Sequence, residues 1–196
     1  FSVVNLVTFA VYGALGGGLF VLVLQLQVSA GFSPLGAGLS MAPFTVIMLL
    51  FSSRSGALAS RIGPRVQLIG GPVVAAAGML VLSRVGEGAS YLGDVLPGVC
   101  LFGTGMTLLV APLTATVLAA APDEDAGIAS GVNNAVARAA GLLFVAALPT
   151  LVGLSGTDYL DPVEFTAGFR SAVLICVGVL LLGSLTATLV PRRQRV

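Results

Sequence analysis

The sequence predicts an all-α membrane protein, a bundle of six transmembrane helices. Hydrophobic residues make up 57% of the chain and charged residues only 9%, and mean hydropathy is +1.06. Soluble domains do not have this balance. Several apolar runs reach the length of about eighteen residues that a helix needs to cross a bilayer, whereas the strands of a membrane barrel would alternate over about ten residues.

The six predicted spans are separated by turns or polar links. They cover residues 3–28, 35–51, 66–82, 92–120, 127–150 and 169–190. Pro43 lies inside the second span, where neighbouring helices can satisfy the carbonyl group that a proline frees, so we expect a kink there. The chain starts at Phe1 without a basic segment or a small-residue cleavage site. We therefore expect a piece of a longer protein rather than a signal peptide.

Residues that could support enzyme chemistry are scarce. Cys100 and Cys176 lie in apolar spans, and the chain contains no His, so both are predicted to be small core residues rather than a disulfide or a metal site. No Asp or Glu falls deep inside a predicted span, where a nucleophile's base or a metal ligand would be needed. We expect no enzyme, no metal site, no cofactor and no nucleic acid partner. An ion channel is disfavoured because no acidic ring or filter loop is visible.

The fifth span carries a single arginine, Arg138, in an otherwise apolar run. If the helix enters the hydrocarbon near Ile128, Arg138 lies about 15 Å deep, close to the middle of a core roughly 30 Å thick. A cation at that depth costs about 3 kcal/mol and normally faces a bundle interior or a watery cavity. Asn134 shares its helical face, and Asn133 lies one residue off it. The predicted role is to line a substrate or ion path; the alternative is a tie to carbonyl groups of neighbouring helices.

The first span contributes two further polar candidates, Asn5 and Tyr12, which lie two helical turns apart on one face. Side chains of this kind more often form hydrogen bonds between helices than bind a ligand. Because Arg138 already indicates a cavity, both are included among the candidate path residues, and the helix-to-helix alternative stays open.

Residues 54–65, RSGALASRIGPR, are predicted to connect the second and third spans. Three arginines in so short a link indicate a cytoplasmic connection. Gly56 and Gly63 permit a tight hairpin, and Arg61 and Arg65 can reach helix C-terminal carbonyls or lipid phosphates. The alternative is a simple positive-inside anchor without a gating function.

The distribution of arginines predicts the orientation of the bundle. Six spans place both ends of the chain on one side of the lipid bilayer. More arginines lie on that side than opposite: Arg54, Arg61, Arg65, Arg192, Arg193 and Arg195 against Arg84 and Arg170. Both ends are therefore predicted to be cytoplasmic.

Two motifs resemble those of a known family. The pattern Gly-x-Leu-Ala-x-Arg-x-Gly-x-Arg from Gly56 to Arg65 resembles the signature loop of the major facilitator superfamily, which joins the second and third helices of a six-helix half. Residues 111–141, with APLT, an acidic turn, AGIASGVNNAVAR and AAG, are similar to the C-terminal half of the fourteen-helix drug:proton antiporter branch. Ser60 stands where the family usually has an aspartate. A charge relay between this kind of loop and a neighbouring helix end would therefore depend on the other six-helix half of the protein.

The resemblance implies one half of an alternating-access multidrug efflux transporter in a bacterial plasma membrane, with a substrate cavity between two six-helix bundles near the midplane. The implied partners are the missing N-terminal bundle, the lipid bilayer and a drug-like or amphipathic small molecule. The implied path residues are Arg138, Asn134, Asn133, Asn5 and Tyr12, and the implied cytoplasmic gating hairpin comprises Gly56, Arg61, Gly63 and Arg65.

The implied energy source is the proton gradient, with the titratable coupling group outside this chain. The alternative to a transporter is a non-transporting scaffold, or a truncated half that only assembles with a partner bundle. The identity of the substrate and the choice between twelve and fourteen helices stay open.

Overall fold

A computed structural model describes residues 1–190, apart from the side chain of Asp123. The helices are α1 (Ser2–Val28), α2 (Pro34–Leu39), α3 (Ala42–Ile62), α4 (Pro64–Leu82), α5 (Leu96–Leu118), α6 (Ala126–Leu151) and α7 (Pro162–Ala187). Short helical turns at Tyr91–Val95, Asp123–Asp125 and Gly156–Leu160 precede α5, α6 and α7. Six segments of this described part are long and apolar enough to cross a membrane, with α2 and α3 forming one of them. The predicted all-α six-helix class is confirmed.

The second span differs from its predicted form. Instead of a kink at Pro43 within one helix, α2 ends at Leu39 and α3 begins at Ala42, with Pro43 in its first turn. The first turn is where a helix tolerates proline, because the missing N–H has no intrahelical acceptor there. The span was predicted to end at residue 51, but α3 continues to Ile62.

The turn between α3 and α4 is a single residue. Gly63 has φ +86°, a conformation that favours glycine because a Cβ would clash with the backbone. Pro64 then starts α4 at its first position. We call the end of the bundle that carries Gly63 the hairpin end. Three arginines that entered the orientation prediction, Arg192, Arg193 and Arg195, lie outside the described residues.

The helices pack in two layers. The front layer has the order α3, α5, α1, α6, with close packing of α3 on α5 and of α1 on α6 and only a few contacts of α5 with α1 and with α6. The back layer consists of α4 and α7, which pack on each other and cover α5 and α1 respectively. The core lies between the layers, where Phe102, Phe165 and Phe169 are fully buried.

Glycines allow the backbones of neighbouring helices to approach closely. A Cβ on Gly78 of α4 would lie 2.7 Å from the Cα of Phe102 on α5, and a Cβ on Gly16 of α1 would lie 2.8 Å from the Cα of Gly141 on α6. Both distances are shorter than real Cβ contacts. These pairs of helices are therefore held at a separation that only glycine permits, as is common in membrane bundles.

The two ends of the front layer are much more exposed than the rest of the bundle. In the most apolar 18-residue stretch, only 11% of residues are buried for the span containing α3 and also for α6, against 44% to 56% for the other four spans. Leu49 on α3 and Leu142 on α6 are 79% and 72% exposed. The faces of α3 and α6 are thus free to contact lipid or another protein.

Candidate functional site

Arg138 lies at the centre of α6, on its exposed face. It makes no hydrogen bond and no ion pair with any residue of the described part of the chain. Asn134, one turn earlier on the same face, is also exposed and without a hydrogen bond to a described residue. A Cβ on Gly131, a further turn back, would meet nothing within 4 Å. This face of α6 therefore presents unused polar groups at mid-span.

Asn133 belongs to a different part of α6. Its Nδ2 atom donates hydrogen bonds to the Oγ1 of Thr8 at 2.7 Å and to the Oδ1 of Asn5 at 3.2 Å, both on α1. The Thr8 hydroxyl donates in turn to the main-chain oxygen of Val4. Asn133 and Asn5 thus connect α6 and α1 by a hydrogen bond of the kind that was the alternative to a path role for Asn5.

Tyr12, the remaining predicted path residue, packs half-buried against the core of α1 and its neighbours. Its hydroxyl makes no hydrogen bond within residues 1–190. The structure therefore divides the five predicted path residues into an exposed pair on α6, a hydrogen-bonded pair between α1 and α6, and a half-buried tyrosine on α1.

The predicted gating hairpin is mostly helix rather than loop. Gly56 and Arg61 lie inside α3, and only Gly63 makes the turn. The Ser60 hydroxyl, at the position where the resemblance expects an aspartate, donates to the main-chain oxygen of Ala57 in its own helix. Residues of high helix propensity, including Ala57, carry α3 past the apolar run.

The two hairpin arginines next to the turn have different surroundings. The guanidinium of Arg65 donates to the main-chain oxygen of Thr188, which caps α7. Carbonyl groups at a helix C-terminus carry partial negative charge, so this contact is electrostatically favourable. Arg61 is exposed and has no hydrogen bond within the described residues. Arg65 therefore ties the hairpin to the end of α7, and Arg61 does not.

Replacing Arg65 by Ala is expected to lower the stability of the hairpin end. The lost hydrogen bond from a charged donor is worth about 1 kcal/mol at a half-exposed site, below the usual range for charged partners. The melting temperature of the purified full-length protein should fall for Arg65→Ala and stay unchanged for the matched variant Arg61→Ala. Equal melting temperatures for the two variants would contradict the tie.

A buried polar cluster that the sequence did not predict joins α3, α4 and α5. The Nε2 of Gln67 donates to the Oγ and to the main-chain oxygen of Ser55, and the Ser55 hydroxyl donates to the main-chain oxygen of Leu108. The Oε1 of Gln67 is a buried acceptor with no partner among the described residues. A glutamine in the first turns of a span was the available signal, but its partners lie on helices that only the fold brings together.

A cleft of about 410 Å³ opens beside this cluster, between α3 and α5. Arg54 lies at its wall, with its guanidinium carbon 5.3 Å from the ring centroid of Phe51. A second cleft, of about 290 Å³, lies at the opposite end of the bundle beside Phe32 and Tyr91. Volumes near and above 300 Å³ are typical of small-molecule pockets.

Both cysteines are free, and Cys176 is buried in the core. Among the residues that the structure describes, no group of His, Cys, Asp and Glu has the proximity to hold a metal ion.

Curated bacterial proteins named for transport and drug resistance are similar to this chain. It is 36% identical to the protein named Probable actinorhodin transporter of Streptomyces coelicolor over 80% of this chain, and 38% identical to Multidrug resistance protein Stp of Mycobacterium tuberculosis over 66% of it. It is 32% identical to Puromycin resistance protein pur8 of Streptomyces alboniger over 87% of this chain. The aligned segments cover 28%, 23% and 36% of those relatives.

The chain thus spans about a quarter to a third of the length of the curated relatives that it matches. Together with the six helices of membrane-spanning length in the described chain, these relatives indicate an integral membrane protein. The family model of the Major Facilitator Superfamily matches residues 1–146, which is most of the chain, and the chain accordingly belongs to the major facilitator superfamily.

Proposed function

We propose that this chain is the C-terminal half of a proton-coupled efflux transporter for drug-like or amphipathic small molecules, working by alternating access. The observation that carries the proposal is Arg138, a cation at the centre of α6 on an exposed face, with no partner in the described chain. A cation at mid-span is costly against hydrocarbon, so its face is suited to a watery cavity. The relatives named for transport and resistance also support a role in efflux.

The partner in this proposal is the N-terminal bundle of the same protein. The exposed faces of α3 and α6 stand at the two ends of the front layer, where a second bundle would cover them. The cavity would then lie between the front layer and that bundle, near the midplane. Arg138 and Asn134 line it in this arrangement, with Tyr12 behind them, while Asn133 and Asn5 hold α1 and α6 in register.

Proton coupling requires a titratable group in the N-terminal half. The sequences of α1, α3, α5 and α6 contain no Asp, Glu or His. A carboxylate on the facing bundle would both carry the proton and neutralise Arg138 when no substrate is bound. In this proposal both ends of the chain are in the cytoplasm of a bacterial cell, and the hairpin around Gly63 helps to close the cytoplasmic side.

Transport by inside-out membrane vesicles containing the full-length protein tests this function. Vesicles energised with an acid interior should accumulate at least one of three probes, puromycin, ethidium or 1-anilinonaphthalene-8-sulfonate, and a protonophore should abolish the accumulation. Control vesicles without the protein should accumulate none of them. Binding of a probe without accumulation would favour the non-transporting scaffold instead.

A further inference from the structure

The cleft between α3 and α5 combines one cationic side chain with mostly apolar walls. Ile47, Phe51 and Leu58 of α3 and Leu108 of α5 form the apolar surfaces, and polar groups come from Arg54, Ser55, Thr104 and Thr107. At about 410 Å³ the cleft has room for a small organic molecule. It lies in the front layer, on the opposite side of α5 from α1.

Arg54 is held in place but not neutralised. Its guanidinium lies 5.3 Å from the ring centroid of Phe51, a cation–π contact that orients the side chain without using its N–H groups. It makes no hydrogen bond and no ion pair with any group that the structure describes. The planar fork of donors is thus available to a carboxylate or sulfonate, whose oxygens match its geometry.

The surroundings of Arg54 favour an anionic partner. It lies eight residues before the end of α3 at Ile62, so its backbone is about 12 Å from the hairpin end of the helix. The side chain is exposed, but apolar residues stand on both sides of it, so a bound anion would pair with it in surroundings less polar than bulk water.

The hydroxyl groups beside the cleft offer no competing donors. Thr104 donates to the main-chain oxygen of Cys100 at 2.8 Å, and Thr107 donates to that of Gly103 at 2.7 Å. The Ser55 hydroxyl donates to Leu108. Since each hydroxyl carries one proton, these side chains can only accept from a ligand. Arg54 is therefore the donor by which the cleft recognises a ligand, and a donor of fixed positive charge selects an acidic group.

We infer that this cleft binds an amphipathic organic anion. The acidic group pairs with the Arg54 guanidinium, and an aromatic or branched apolar body lies against Phe51, Leu58 and Leu108. The spans of the front layer contain three arginines and no acidic residue, so the surface as a whole favours anions over cations. Binding of an anion in the cleft does not depend on transport. The cleft is a substrate site only if the proposed export function holds, and the substrates would then be acidic amphiphiles.

A matched pair of probes tests the inference in the full-length protein. 1-Anilinonaphthalene-8-sulfonate is an aromatic anion, and N-phenyl-1-naphthylamine is the same molecule without the sulfonate. Binding of each is measured by thermophoresis of the labelled protein in phosphatidylcholine nanodiscs, with empty discs as the reference. Arg54→Ala should weaken binding of the sulfonate probe about tenfold or more and leave binding of the neutral probe within about twofold. Arg54→Lys should retain part of the affinity, because it keeps the charge but loses the fork.

Two variants of Thr104 test whether the probes bind in the cleft or elsewhere on the surface. Thr104 is exposed and its hydroxyl bonds only to its own helix, so both variants should fold. Thr104→Phe fills the cleft and should weaken both probes about tenfold, whereas Thr104→Val preserves the shape and should change neither. Arg84→Ala removes an exposed arginine at the opposite end of the bundle and should also change neither.

Several outcomes would overturn the inference. Unchanged sulfonate binding in Arg54→Ala or Thr104→Phe would place the probe elsewhere, and failure of the unmodified protein to bind it would mean that the partner bundle fills the cleft. Equal loss of both probes in Arg54→Ala would remove the role of charge. Loss of sulfonate-probe binding when the protein is placed in nanodiscs that contain phosphatidylglycerol would assign the cleft to a lipid headgroup. Binding without export would leave the site intact and contradict only the proposed function.

Discussion

Arg138→Ala is expected to reduce export to background while leaving the protein folded in the membrane. The side chain is exposed and makes no hydrogen bond or ion pair with a described group, so its removal breaks none that holds the described bundle together. If it contacts substrate in the cavity, the lost interaction with a charged donor is worth about 1.5–3 kcal/mol. That range corresponds to a loss of about ten- to a hundredfold in transport efficiency.

The measurement combines export with amount and stability. Accumulation of a probe that the unmodified protein transports is compared with the amount of each variant in the vesicles and with its melting temperature. Arg138→Lys should keep part of the activity, since it preserves the charge at mid-depth without the planar fork. Arg170→Ala, an exposed arginine on α7 of the back layer, is the matched control and should export normally. Normal export by Arg138→Ala would return Arg138 to a structural role.

The fold class could be predicted because the bilayer constrains it so strongly. Length and hydropathy alone identify six spans, since every backbone polar group in lipid must be satisfied within a helix. The extent of α3 could not be predicted in the same way. Arg54 and its serine neighbours mark the end of the apolar run, but the helix continues to Ile62 because backbone hydrogen bonding does not stop where hydropathy falls. Arg54 thus belongs to a helix face and not to a loop.

The polar residues of the front layer could be identified from the sequence, but their partners could not. Asn133 and Asn134 are adjacent on α6, and helical periodicity alone does not show which of them faces α1. The packing of Gly16 against Gly141 determines which asparagine faces Asn5, and that packing is a property of the folded pair of helices. The cleft at Arg54 was missed for the same reason, because α3 and α5 are neighbours in space but not along the chain.

Asn133→Leu is expected to lower stability but not export, and Asn134→Leu is expected to lower export but not stability. Leucine has the same branched arrangement of side-chain heavy atoms as asparagine, so each change removes polarity and keeps the side-chain shape. Asn133→Leu deletes the hydrogen bonds to Thr8 and Asn5 and should destabilise the α1–α6 pair by about 1–2 kcal/mol. Asn134→Leu breaks no hydrogen bond with a described residue, so the melting temperature should not fall.

The two variants should also differ in export, which should fall for Asn134→Leu and not for Asn133→Leu. In the proposed cavity Asn134 contacts solvent or substrate one turn from Arg138, and its loss should lower export about tenfold. The export rate of Asn133→Leu per folded molecule should stay close to that of the unmodified protein. A Thr8→Val change combined with Asn133→Leu should cost little more than Asn133→Leu alone, because both remove the same 2.7 Å hydrogen bond. Equal melting temperatures for the two leucine variants, or additive costs in the double variant, would show that Asn133 does not hold α1 and α6 together, and it would then rejoin Arg138 and Asn134 as a candidate for the path.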